Sequence, residues 1–265
     1  MIWLGRRILR DFPHWELQTK AAFVIGVILL VFALGVALFG PSEVRAVSLV
    51  GSGALLLVLQ VTVLWANRGM VTIFTTAQRH YLAGELEQAR DILEAARMEG
   101  ANDARVLTLL GNVYRQLGDL EKSHSILYEA LDKAPNHYFP LYGFGRTLLS
   151  EGNYAEAAQV LRRAVDAGAP PVVRVDLAET YYRAGQHTEA LAELKNIDVK
   201  LLAGEPHRQL IAAYLFYRLD GGSPPDTGLI DAGMPYWEAT AERFCDTRYG
   251  VDLAQDIQHM RGRIE

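Results

Sequence analysis

The chain has 265 residues and carries 26 Lys+Arg against 31 Asp+Glu, a net charge of −5, with half of its residues hydrophobic. Residues 1–66 hold five of the basic and three of the acidic groups, which leaves 21 against 28, or −7, for residues 67–265. A length of this order allows one or two domains, and an acidic second part argues against nucleic acid as a partner, because phosphates demand a basic face.

In chain order, the first segment, residues 1–20, has an apolar stripe of Leu4, Ile8 and Phe12, backed by Ile2, Trp3 and Leu9. Arg6, Arg7 and Arg10 lie on another face, and Pro13 ends the pattern. Two readings fit: a short interfacial helix on an anionic leaflet, or a plain positive flank. Ala21 to Gly40 then runs for 20 residues without a charge, and Ala46 to Ala66 is again uncharged. A helix of about 20 such residues covers the roughly 30 Å hydrocarbon core of a bilayer. With only Pro41 to Arg45 between them, the two spans are expected to form an antiparallel hairpin over residues 21–66. A cleaved signal peptide is the rival for the first span, but its apolar run exceeds the usual 7–15 residues or so and a second span follows at once.

Basic residues near the span ends set the orientation. The loop has Arg45; the other side has Arg6, Arg7, Arg10, Lys20, Arg68 and Arg79. Both termini are therefore expected on the cytoplasmic face of an inner or plasma membrane, with Trp15 and Trp65 at that interface. Gln60 is the strongly polar side chain within the spans, suited to a hydrogen bond with a neighbouring helix or, less simply, to a ligand. Ser48/Ser52 and Ala33/Ala37 are small pairs that permit close helix approach, either within the hairpin or against a foreign helix.

Beyond residue 70 the chain repeats itself. Glycines stand at Gly84, Gly118, Gly152 and Gly185, with spacings of 34, 34 and 33. Five residues after each comes a small residue (Ala89, Ser123, Ala157, Ala190), and four further on a leucine (Leu93, Leu127, Leu161, Leu194). Three more brings Ala96, Ala130 and Ala164, with Ile197 departing from the rule. Seven before each glycine stands Ala77, Gly111, Gly145 or Ala178. These matched offsets resemble the tetratricopeptide repeat in four copies over roughly residues 70–198. The fourth copy is weakest, with His187 in the usual aromatic place and Arg174 where a bulky apolar residue is usual.

The resemblance implies an all-α chain: a two-helix transmembrane hairpin, then an α-solenoid of antiparallel helix pairs stacked into a right-handed superhelix with an inner groove. Only Asn67 to Gly69 separates the second span from the first repeat. The family lines its groove chiefly with the first helix of each unit. Carried over, the first unit gives Val71, Phe74, Gln78 and Tyr81, and the second Arg105, Thr108, Asn112 and Arg115. The third gives Phe139, Tyr142, Arg146 and Leu149, and the fourth Val172, Val175, Glu179 and Tyr182. Five aromatics and three arginines against one acid suit a peptide with apolar anchors and carboxylates; ordinary exposed side chains paired to neighbouring acids are the alternative. Asn112 matches in type a terminal-carboxylate clamp of some relatives, but the clamp's lysines are missing.

Residues 199–265 begin with an expected helix at Pro206–Leu219, followed by the breaker-rich Asp220–Gly228. Trp237, Thr240, Ala241 and Phe244, then Leu253, Ile257 and Met260, fall at helical spacing and read as a cap over the last repeat. The lone Cys245 excludes an internal disulfide, fits a reducing compartment, and reads as a small apolar helix residue. The seven histidines show no metal-ligand spacing, Gly221-Gly222 is a turn and not a phosphate loop, and no nucleophile stands beside a base. No cofactor and no catalysis are expected. The sequence points to a non-enzymatic scaffold or adaptor, such as an assembly factor, binding protein partners at the cytoplasmic membrane face. The alternative is a permanent accessory subunit of a membrane complex, for example an energy-transducing one, held through its hairpin.

Overall fold

The structure, a computed structural model, describes residues 17–66 and 68–262. The interfacial helix expected at residues 1–12 lies outside them, as does Trp15. Among the described residues are thirteen α-helices, one 3-10 turn and no strand. They form two compact units, residues 1–76 and 77–265.

In the first unit, α1 (Leu17–Phe39) and α2 (Ser42–Ala66) are antiparallel. Their windows Thr19–Phe39 and Ser42–Ala66 have mean hydropathies of 3.0 and 2.2, long and apolar enough to cross a bilayer. The link is shorter than expected: Ser42 to Arg45 form the first turn of α2, leaving Gly40 and Pro41 between the helices. The reason is local. The Pro41 carbonyl accepts from Val44 N at 3.1 Å, and a proline just before a helix forfeits no intrahelical donor. Arg45 Nε donates to Gly40 O at 2.8 Å and so satisfies a carbonyl at the end of α1. The helices approach at small residues, for a Cβ on Gly26 would lie 2.8 Å from Leu59 Cδ2. Ala37 and Ser52 are buried, and the Ser52 hydroxyl donates back to Ser48 O at 2.8 Å. Gln60 is exposed, so the hairpin itself does not use it.

The helix pairs of the repeat are α3 (Arg68–Leu82) with α4 (Leu86–Met98), and α5 (Ala104–Gln116) with α6 (Leu120–Lys133). They continue as α7 (Tyr138–Glu151) with α8 (Tyr154–Asp166), and α9 (Val173–Arg183) with α10 (His187–Lys195). Each pair is joined at one of the period-marking glycines, whose φ values are 79°, 88°, 87° and 77° for Gly84, Gly118, Gly152 and Gly185. Only glycine enters that left-handed region without a Cβ penalty, which is why the period is written in glycines. The small residues sit where paired helices cross: a Cβ on Gly111 would stand 2.4 Å from Leu127 Cγ, and one on Gly145 2.7 Å from Leu161. Ala89, Ser123, Ala157 and Ala190 are all fully buried opposite them. Units interlock through polar contacts as well, for the Ser123 and Thr147 hydroxyls lie 2.8 Å apart.

After the 3-10 turn Val199–Leu202 come α11 (Pro206–Asp220), α12 (Thr227–Arg243) and α13 (Arg248–Arg261). Helix α11 packs against α9 and α10 and extends the stack. Helices α12 and α13 follow as the C-terminal helices expected to cap it. They turn back over the first helices of earlier units, where Trp237, Phe244, Tyr249, Leu253, Ile257 and Met260 join one core with Leu141, Leu148, Leu149, Val175 and Tyr214. This path has a physical cause. The first-helix faces of units three and four carry buried apolar residues such as Leu149 and Val175 that need covering, and the stripes of α12 and α13 supply that cover.

The crossing geometry yields a stability prediction. Replacing Ala157, which is fully buried, by leucine should overpack the α7–α8 crossing and cost about 1–3 kcal/mol. In thermal unfolding monitored by circular dichroism this should lower Tm by roughly 2–4 °C per kcal/mol for a unit of this size. The exposed Ala155→Leu change serves as the control that leaves Tm unchanged.

Candidate partner-binding face

The residues carried over from the repeat divide into an open set and a closed one. In the first unit Gln78 is exposed, while Phe74 and Tyr81 are half-buried; the Val71 side chain lies outside the described residues. In the second, Arg105 is exposed and sits just after the α5 N-cap Asp103, whose carboxylate accepts from Arg105 N at 2.8 Å. Thr108 is buried and its hydroxyl donates to Ala104 O. Asn112 and Arg115 are buried where α5 meets α7, and a Cβ on Gly143 would lie 3.1 Å from Asn112 Oδ1. Arg115 is only 6% exposed, and among the described residues it makes a long 3.4 Å donation from Nη2 to Asn112 Oδ1 while its Nε has no partner there.

In units three and four the face is filled by the chain itself. Asp176 lies at the centre of a buried cluster, accepting from Arg208 Nη1 at 2.7 Å, from the Tyr142 hydroxyl at 2.8 Å and from Arg146 Nη1. Arg208 Nη2 also donates to the Tyr142 oxygen at 3.1 Å, which ties α11 to α7 and α9. Burial pushes the Asp176 carboxyl up, but the Arg146 and Arg208 guanidiniums and the two donated hydrogen bonds overcome it and hold the group at about 2. Glu179 is buried and accepts from Tyr249 Oη and from Arg183 Nε, both at 3.0 Å. Arg183 Nη1 pairs with Asp256 Oδ2 at 3.2 Å, and Tyr214 Oη donates to Asp256 Oδ1 at 2.7 Å. Burial and the adjacent Glu179 push the Tyr249 hydroxyl well above the usual tyrosine range, so it stays a donor. A cavity of about 30 Å³ remains among Arg146, Glu179, Arg208, Trp237 and Tyr249.

Leu149 and Val175 belong to the core, while Phe139, Val172 and Tyr182 are half-buried; the Tyr182 ring stacks on His187 with centroids 5.7 Å apart. Of the three groove arginines, then, Arg105 stands at the surface, and Arg115 and Arg146 are interior. The partners that close the face, Arg208, Tyr249, Asp252 and Asp256, were missed from sequence. A signal was present: Asp252 and Asp256 stand four apart and flank the Tyr249, Leu253, Ile257 stripe, marking carboxylates at the edge of a buried face. Cys245 is exposed in the turn between α12 and α13, not on an apolar helix face. Among the described residues no cluster of three or more metal-ligating side chains occurs.

Comparison with known proteins bears on the repeats. One tetratricopeptide repeat family model matches residues 114–171 and 148–212, and a second matches 74–138. Together they run from 74 to 212, more than half of the chain. The chain belongs to the tetratricopeptide repeat family. Among solved structures, the tetratricopeptide chain is similar to MamA of AMB-1, at 23% identity and a TM-score of 0.45 over 65% of this chain and 96% of that one. A double mutant of MamA from RS-1 gives 23% identity and 0.45 over 69% and 93%. A Thermobaculum terrenum O-GlcNAc transferase mutant gives 16% and 0.41 over 56% of this chain and 25% of its own. No curated protein matches the chain. At such identities function does not carry over.

The Asp176 cluster makes two measurable predictions. Asp176→Asn leaves Arg146 and Arg208 buried without their charge partner and should destabilise by about 3–5 kcal/mol in urea unfolding. Because the folded carboxyl is held at about 2, its stabilising effect is full above the unfolded value near 3.9 and is lost as pH falls from about 4 towards 2. The wild-type denaturant midpoint should therefore drop through that window, and the Asn variant should show a smaller drop.

Proposed function

We propose that this tetratricopeptide repeat protein is a non-enzymatic scaffold, anchored by the α1–α2 hairpin, that binds protein partners at the cytoplasmic membrane face, as an assembly factor for a membrane complex does. The observation that carries the reading is the end of the first-helix face that α12 and α13 leave open. Gln78 of α3 and Arg105 of α5 are exposed there, on the first helices of adjacent repeats, while α12 and α13 cover units three and four. The exposed Gln78 amide can both donate to and accept from a partner's backbone, and the half-buried Tyr81 ring offers an anchor for an apolar side chain. The repeat family supports protein binding, and the six basic flanking residues against Arg45 support a topology with both termini in the cytoplasm.

A second reading is favoured by Gln60. Its amide is exposed among the outward apolar residues Leu56, Leu57, Val61 and Leu64 of α2, and in hydrocarbon an amide is best satisfied by a neighbouring helix. A permanent accessory subunit held through the hairpin would use it so.

The two are separated by purifying the tagged full chain from its native membrane in mild detergent, with quantitative mass spectrometry of what accompanies it. Arg146 is unsuitable for the variant, because reversing it would break the Asp176 cluster. The exposed pair Gln78→Glu/Arg105→Glu avoids that. Partners lost at least tenfold in the variant, with unchanged thermal stability, are the expected result. Equimolar partners retained by the variant but lost with Gln60→Leu would instead make the hairpin the interface.

A further inference from the structure

The chain covers part of its own face with two helices that follow a linker. Helix α11 ends at Gly221 in the left-handed conformation, φ 68°, and α12 starts with its own N-cap, Asp226, accepting from Leu229 N. Between these stops, Gly222 to Pro224 are exposed, and no backbone hydrogen bond ties 222–225 to the other described residues. The α12–α13 hairpin is thus tethered by a short linker without structure of its own.

The contacts that hold it are unusually polar for a permanent core. Arg243 Nη1 donates to Gln116 Oε1 at 2.7 Å beside Gly118, and Arg248 packs on Gly152. Tyr154 donates to Asp252, Tyr249 to Glu179, and Arg183 pairs with Asp256. The track therefore touches the turn edges of units two, three and four in succession. Arg183, 3% exposed at its side chain, keeps Nη2 without a partner, and the 30 Å³ cavity lies against the hairpin. Buried ion pairs gain little over the water they displace, and polar, imperfectly filled contacts are characteristic of separable surfaces. Against this stands the apolar burial of Trp237, Leu253, Ile257 and Met260, which keeps the hairpin seated when nothing competes.

We propose that the α12–α13 hairpin is a displaceable occupant of the first-helix face of units three and four. The partner this covered face takes is an amphipathic helix of α13's own chemistry. Such a helix has apolar residues at intervals of four, like Tyr249, Leu253 and Ile257, and two carboxylates one turn apart, like Asp252 and Asp256. The inference rests on reading this face as the partner-binding one. Arg183 and the Tyr154 and Tyr214 hydroxyls would receive the partner's carboxylates in place of the chain's own. A tethered occupant acts at an effective concentration of about millimolar, so an untethered competitor binds well only when the occupant is weakened.

The test uses the full chain in detergent and a fluorescein-labelled synthetic peptide of residues 247–262, read by anisotropy. The weakened variant is Arg243→Ala/Asp252→Asn, which changes an exposed and a half-buried residue and keeps Asp256. It should bind the peptide at least tenfold more tightly than the wild type. A peptide with Asn at both acidic positions should lose that gain. Equal binding to both proteins, with the helical signal intact, overturns the proposal, as does a variant that unfolds, since the hairpin would then be a fixed wall. An independent readout uses the native Cys245 and Ser125→Cys, both exposed, carrying nitroxides: saturating peptide should lengthen their separation, and no change overturns the proposal. If the peptide fails while Gln78→Glu/Arg105→Glu still loses partners, the scaffold reading stands and the hairpin is fixed. Failure of both sinks both.

Discussion

A helix pair of this repeat has apolar residues on two sides and can bury only one of them within itself. Everything else in residues 77–265 answers that constraint. Leu93, Leu127, Leu161 and Leu194 go to the interior of each pair, but Leu141, Leu148, Leu149 and Val175 require a neighbour. The next unit supplies part of it, α11 ends the stack, and α12 with α13 supplies the rest by turning back over the first helices. An array of repeats is held by its interfaces more than by its units, and here the chain closes its own array.

That closure changes what the charges mean. Arg146 lies on the first helix of its repeat, where the resemblance placed a groove residue, yet it serves a buried carboxylate, Asp176, shared with Arg208 of α11. Glu179 likewise serves Tyr249 and Arg183. Such clusters add little net stability over an apolar core, but losing one member is expensive, so they fix where α11 and α13 sit. Under the proposed function, the part of the first-helix face open to a partner is the part α12 and α13 do not cover, at the Gln78 and Arg105 end.

The repeat was legible because its causes are local. A left-handed glycine, a small residue five positions on and a leucine four beyond are demands of one helix pair on itself, and Gly118 or Gly152 meets them in any copy. The hairpin was legible for the same reason, apart from Ser42 to Arg45. Those polar residues read as a loop, yet Pro41 and the Arg45–Gly40 contact let them start a helix. The state of the groove was not legible. Arg146 and Asp176 are 30 residues apart, Arg208 and Asp176 are 32 apart, and Tyr249 reaches Glu179 across 70. Sequence spacing shows that a residue stands on the inner face of a repeat. It does not show whether a distant helix returns to cover it.

The most direct test of the account is site-specific photocrosslinking in native membranes, with a benzophenone side chain placed singly at Gln78, Arg105 and Gln60. The account predicts partner adducts from Gln78 and Arg105, at the end of the first-helix face that α12 and α13 leave open, and far weaker ones from Gln60. Adducts from Gln60 alone, with none from the two repeat positions, would contradict it and place the interface on the transmembrane hairpin.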